Sequence, residues 1–290
     1  MSFKEHLKKN KALQQARQRY AVIKAKTQVD LMNTAIDLGL MRGHNDYTKF
    51  IIISRGRSGT NFLRGMLNSH SQIINFGEIF REFGSIGWNL QGYGADERQK
   101  SLIRTDPIKF IDNYIYRKAS IKTKAIGFKI FYYHAQNPEW IPVWEYLQQL
   151  KDLHVIHLTR QNRLATYLST CIAQETKVWS VRTGGKTTVH DSMYVKYEDC
   201  LEFFEKTEEL ENHANLFFKN SKKLEITYEN LSANIDAEME SVQNFLGVDQ
   251  QSVKPASYKQ NVKPLSDGIV NYSELKEKFS GSPWFKYFEE

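Results

Sequence analysis

Residues 50–63, Phe-Ile-Ile-Ile-Ser-Arg-Gly-Arg-Ser-Gly-Thr-Asn-Phe-Leu, restrict the fold more than any other stretch of this chain. The unbroken apolar run Phe50 to Ile53, rich in β-branched residues, suits a short strand buried on both faces. Small and basic residues follow it, and the spacing of Phe62, Leu63, Met66 and Leu67 then opens a helix. Strand, glycine-containing loop and helix N-terminus in succession make a backbone cradle for an anion. The glycines admit close approach, the N–H groups of the first turn point at the ligand, and the helix dipole favours negative charge. Arg57 and the hydroxyls of Ser58 and Thr60 add further donors. The spacing is not that of a Walker A loop, because Gly59 is followed by Thr60 and Asn61 with no lysine. A later Gly-Gly-Lys-Thr-Thr run at 184–188 has Ser180 where the first glycine should stand and no apolar strand before it, so it reads as a polar loop.

Three other stretches carry chemistry. Val155, Ile156 and Leu158 read as a second buried strand ending at Thr159 and Arg160, with Asn162 as N-cap of a helix striped by Leu164, Leu168 and Ile172. Arg160 at the strand end and Ser169 two turns into that helix are placed to converge on a second anion. Ile73, Ile74 and Phe76 predict a short strand, with Gly77 allowing a bend and Glu78 emerging at its end. A carboxylate among apolar groups is pushed toward neutrality, and neighbouring arginines oppose the push; the plainer reading pairs Glu78 with Arg57 or Arg81. His70 is a base by chemistry, but its position predicts a helix-terminal histidine. Lys129 interrupts the apolar strand pattern of residues 124–134, and a lysine inside a buried strand needs a partner. It either faces the reacting groups or lies outward on an edge.

The first loop resembles the 5′-phosphosulfate loop of sulfotransferases that use 3′-phosphoadenosine-5′-phosphosulfate (PAPS). Arg57 sits at the basic position, Ser58, Gly59 and Thr60 match, Gly56 replaces the common proline, and Asn61 replaces the usual threonine or serine. Arg160 and Ser169 resemble the 3′-phosphate site of the branch with bacterial carbohydrate, trehalose and nodulation-factor-like enzymes. The segment from Leu224 to Tyr228 with its following Phe245-Leu246-Gly247 resembles the family's scaffold, and the likeness spans residues 48–285. It implies an α/β fold, a P-loop-like parallel sheet flanked by helices on both faces, preceded by a helical extension. It also implies PAPS as co-substrate and adenosine 3′,5′-bisphosphate (PAP) as product, with no metal. The implied cofactor-binding residues are Arg55, Gly56, Arg57, Ser58, Gly59, Thr60, Asn61, Arg160, Ser169 and Lys259, the last with a solvated lysine as its plainer reading. The implied catalytic residues are Glu78 as general base, Arg57 and Lys129. The acceptor is a hydroxyl of a glycan, lipid or other small molecule. A nucleotide kinase or NTPase, or a non-catalytic nucleotide-binding module, is the competing class.

The 290 residues suffice for one large domain, placed at 48–290 behind an extension at 1–47. The net charge of +7 resides entirely in residues 1–26, which hold eight Lys or Arg against Glu5. Phe3, Leu7, Leu13, Ala16, Tyr20 and Ile23 lie near helical spacing there, predicting a basic amphipathic helix over 5–26 and a second helix over 30–39. That arm packs on its own domain or a second subunit, docks on an anionic membrane surface, or touches a polyanion. Nucleic acid is disfavoured because no basic-aromatic platform accompanies it. Cys171 and Cys200 read as reduced thiols, and with no signal-peptide pattern they place the chain in the cytoplasm. A long charged helix is expected over 198–219. Residues 82–104 and 175–193 lack periodicity and are assigned to acceptor-binding loops, with Trp88, Tyr93 and Trp179 either stacking on sugar rings or packing in the core. Ser273 is the expected N-cap of a last short helix.

Overall fold

The computed structural model describes residues 3–179, 192–255 and 263–289. In chain order its elements begin with α1 (Phe3–Asp37), β1 (Gly43–His44), β2 (Thr48–Ser54), α2 (Thr60–Leu67) and β3 (Ile73–Glu78). Next come α3 (Glu97–Thr105), α4 (Pro107–Phe110), a π-helical turn (Ile111–Ile115), β4 (Ala119–Ser120), β5 (Ala125–Phe131) and α5 (Pro142–Gln149). After these follow β6 (His154–Thr159), α6 (Arg163–Thr176), α7 (Tyr197–Phe217), β7 (Lys222–Thr227), α8 (Tyr228–Ala233) and α9 (Ile235–Leu246). The chain closes with α10 (Leu265–Gly268), α11 (Tyr272–Lys278) and a 3-10 turn (Phe285–Phe288).

Five strands form one parallel sheet in the order β3-β5-β2-β6-β7, and β1 pairs antiparallel with β4 beside it. The apolar run read first in the sequence is the middle strand. Alternation along β2 sends Ile51 and Ile53 into one core layer and Phe50 and Ile52 into the other. The first layer is covered by α5, the π-helical turn and the end of α7. The second is covered by α2, α8 and α9. Helices on both faces explain why every interior residue of β2 must be apolar. A third cluster packs α6, α7 and α11 with Trp284, Tyr287 and Phe288.

Local signals fixed several boundaries. Asn162 accepts from the Ala165 N–H at 2.8 Å and starts α6, and Gly247 takes the left-handed conformation that ends α9 (φ +67°). Tyr197 opens α7 as expected. Other elements differ. The two expected N-terminal helices are one, because no glycine or proline precedes Gly39 and the Thr27 hydroxyl is satisfied by the Ile23 carbonyl one turn back. The expected apolar stripe is not the docked one: Leu13, Ala16, Tyr20 and Ile23 are exposed, while Ala25, Val29 and Ile36, at helical spacing further along, meet the domain. Residues 97–105 are helical because Asp96 and Gln99 form a reciprocal capping box. The strand expected to reach Tyr228 stops at Thr227, whose hydroxyl accepts from Asn230 N–H and starts α8. Asn271, not Ser273, occupies the N-cap position of α11. No helix among the described residues is long and apolar enough to cross a membrane.

Ile36 is buried against Gly43, whereas Leu38, two residues on, is exposed. Ile36→Ala is expected to cost about 2 kcal/mol in urea unfolding, and Leu38→Ala to stay within about 0.5 kcal/mol of the parent.

Candidate active site

The candidate residues meet at the C-terminal ends of β2, β3, β5 and β6. The loop after β2 turns through Arg57, which has a left-handed backbone (φ +71°), and Gly59 (φ +83°). Gly59 is required twice over. A Cβ there would be strained, and it would lie 2.3 Å from Cδ2 of Tyr228 at the start of α8. The N–H groups of Gly59, Thr60 and Asn61 make no hydrogen bond among the described residues, so the first turn of α2 keeps its donors unspent. The Gly56 N–H, by contrast, donates to the Tyr133 hydroxyl at 3.2 Å.

Arg57 lies between the two expected anion sites. Its Nε donates to Ser169 Oγ on α6 at 3.0 Å, its guanidinium reaches the Trp179 carbonyl, and its own carbonyl accepts from Arg160 Nη1 at 3.3 Å. Arg160 follows β6, the strand beside β2, so Arg160 and Ser169 both contact Arg57. The Arg160 guanidinium lies over the Tyr228 ring, and its buried Nε–H has no partner among the described residues. Burial lowers its pKa, opposed by Tyr228 and Glu229. Arg55 points elsewhere: it stacks 3.9 Å from the centre of the Phe203 ring on α7.

The other half of the site is built on Lys129 of β5. Its side chain is 0% exposed, and its ammonium touches Glu78 Oε1 at 2.8 Å, Asn61 Oδ1 at 2.9 Å and Thr60 Oγ1 at 3.3 Å. Lys129 is therefore inward-facing. Glu78 meets it because β3 carries an irregularity: Asn75 pairs with Gly127, but Glu78 pairs with Lys129. Three steps on one strand thus match two on the other, which is the effect of a bulge. Gly77 sits in that bulge; a Cβ there would stand 2.5 Å from the Gly87 carbonyl, and its N–H donates to the Trp88 carbonyl.

Burial alone would raise the Glu78 carboxyl, but the charge and hydrogen bond of Lys129 overcome it, and the group lies below its ordinary range. The raised value that its apolar setting suggested does not occur. Neither expected arginine pairs with Glu78, and Arg81 instead bonds Glu82 on the surface.

His70 is buried, with Nε2 against the Asp249 carbonyl at 2.8 Å and Nδ1 accepting from Gln72 N–H, so it anchors the end of α2. Trp88 and Tyr93 pack edge-on against Phe76 in the core, which leaves Trp179, half exposed, as the aromatic of the three open to a ligand. Lys259 and the run 184–188 lie outside the described residues.

Sequence reasoning missed three residues here. Tyr228 was read as scaffold, yet it props the loop through Gly59. Tyr133 takes a loop N–H. His134 is buried, its Nδ1 accepts from Phe131 N–H at 3.2 Å, and burial, countered by Glu78, lowers its pKa to about 4. The signal for all three was a polar aromatic directly after an apolar strand.

A sequence profile described as "Sulfotransferase family" matches residues 50–252. Nodulation protein H of Rhizobium tropici is 26% identical over 244 residues, covering 83% of this chain and 92% of that protein. A sulfotransferase from Alicyclobacillus acidocaldarius superposes with a TM-score of 0.47 at 15% identity, over 83% of this chain and 92% of that one. A mouse sulfotransferase solved with PAP gives a TM-score of 0.37 at 16% identity, over 88% and 91% of the two chains.

Gly59→Ala forces a side chain into the left-handed region and against Tyr228. The backbone cost alone is about 1–2 kcal/mol, so the urea midpoint is expected to fall by at least that much at unchanged m-value.

Proposed function

Because the chain belongs to the sulfotransferase family, matched over residues 50–252, we propose that it moves a sulfuryl group from PAPS to a hydroxyl of a carbohydrate, lipid or other small acceptor. The observation that carries the reading is Arg160, a desolvated guanidinium whose Nε–H has no partner among the described residues, beside a loop whose N–H donors are unspent among them. A buried cation with an unused donor is costly unless an anion completes it. Arg160 and Ser169 suit the 3′-phosphate of PAPS, and Arg57 with the Gly59–Asn61 N–H groups suits its 5′-phosphosulfate. The 3′-phosphate would distinguish PAPS from ATP, and the loop's lack of a Walker lysine weighs against a kinase.

Transfer of this type rests on positioning and on charge stabilisation at the departing oxygen. The acceptor oxygen gives its proton to Glu78 and forms the new S–O bond. The S–O bond to the 5′-phosphate breaks, and its electron pair stays on the phosphate oxygen, facing Arg57 and the loop N–H groups. Glu78 suits the proton-accepting role by standing at the strand end with 16% of its side chain exposed. With its pKa held low it is ionised at neutral pH, so its carboxylate carries no proton before transfer.

Calorimetry of PAP binding tests the cradle. Arg160→Ala is expected to lose roughly 1.5–3 kcal/mol, the worth of a hydrogen bond to a charged group; unchanged affinity would contradict the assignment. Glu78→Gln should lower turnover by about 10²–10⁴ while PAP binding is retained. Transfer of labelled sulfate from PAPS into a cell extract, read by mass spectrometry, identifies the acceptor.

A further inference from the structure

We propose that Lys129 is a positioning residue: by dividing its ammonium among Thr60, Asn61 and Glu78, it fastens the proton-accepting carboxylate to the anion loop and holds it ionised. The inference rests on the reading of Glu78 as base. It goes beyond that reading by assigning the residue that orients and charges the base.

An ammonium has three protons, and here three oxygens from two elements outside its own strand surround it at 2.8, 2.9 and 3.3 Å. With 0% of its side chain exposed, Lys129 has no water to replace any of them. Its donors are therefore committed to the loop and the base, and the sulfuryl group is held by other residues. The connection is short: Thr60 and Asn61 contribute N–H groups to the anion cradle and side-chain oxygens to Lys129, so the same two residues face both sides. The bulge in β3 gives Glu78 the register to complete the trio.

Other charged or titratable groups surround this pair. Arg81 follows β3, Arg64 projects from α2, and Tyr133 and His134 follow β5. His134 is neutral near neutrality but is protonated in the acid range, its pKa lying at about 4, and there it too favours the charge of Glu78. Arg64 and Arg81 are cations that oppose the charge of Lys129, and Arg81 also favours that of Glu78. Lys129 is the cation in direct hydrogen-bond contact with the carboxylate. Its removal leaves the half-enclosed carboxylate with distant positive charge and the full cost of desolvation.

The test is a direct titration of Glu78 in the full chain by carboxyl carbon NMR, with the signal assigned by its absence in Glu78→Gln. In the parent protein, Glu78 is expected to titrate below the ordinary glutamate value of about 4.3. In Lys129→Met, a near-isosteric change that removes the charge, the midpoint is expected to rise by at least about one unit, a tenfold change in acid dissociation constant. A parent midpoint at or above the ordinary value overturns the proposal without recourse to any variant, and so does a midpoint that Lys129→Met leaves in place. A merely structural lysine would not move it. PAP calorimetry on the parent protein separates the two readings. Failure to bind PAP would sink the sulfotransfer reading of the cradle while the titration still reports whether Lys129 governs Glu78.

Discussion

Burying a lysine ammonium is among the most expensive things a protein core can do, and the site is arranged around that cost. Lys129 lies in the fifth residue position of its sheet pairing with β2, opposite Ile52, under the first turn of α2. Its charge is tolerated because three oxygens converge on it, and each must come from a different local structure than its own strand. Two come from the residues that start α2, so the helix cannot slide or tilt without uncovering a charge. The third comes from the end of β3. A single desolvated cation thus ties the loop, the sheet and the carboxylate into one rigid body, with the reacting groups on its surface.

The topology supplies the setting. From β2 the chain crosses to β3 on one side, returns to β5 between them, and only then passes to β6 on the other side of β2. The direction of winding therefore reverses at β2. Crevices form where that happens, at the carboxyl ends of the strands. Arg57, Glu78, Lys129 and Arg160 all stand at or just beyond those ends. Arg57 bridges the halves: its side chain reaches Ser169 on the β6 side, and its loop shares Thr60 and Asn61 with the β5 side. The proposed cradle for the anion and the proposed place for its reaction partner are therefore neighbours across a single strand.

What could be read from the sequence was local. β2 declared itself because both-face burial admits only apolar residues, and Asn162 and Gly247 declared helix ends because caps act on their own backbone. The loop composition named the anion cradle, and Arg160 with Ser169 named a second group of donors. The partner of Lys129 was not legible, since it depends on which residue of a distant strand lies opposite. Nor was the prop that Tyr228 gives Gly59, a contact between segments 169 positions apart in the chain. The helix at 97–105 was legible in principle, through Asp96 and Gln99, but glycines just upstream hid it. Trp88 and Tyr93 looked like ligand platforms because their loop is polar; the core packing against Phe76 lies outside any sequence window.

The bulge of β3 sets the parity of that strand. Asn75 and Glu78 point the same way, toward α2, although three positions apart they should point oppositely. Straighten the bulge without removing a residue and the carboxylate would turn through the sheet to the side of Ile130, into the hydrocarbon layer. Loss of the bulge at constant length would bury the acid in oil and strand the lysine, whereas removing the extra residue along with it would keep the carboxylate on the same face. The side to which Glu78 turns thus depends on the extra residue of the bulge, which the bond from the Gly77 N–H to the Trp88 carbonyl ties to the loop beyond.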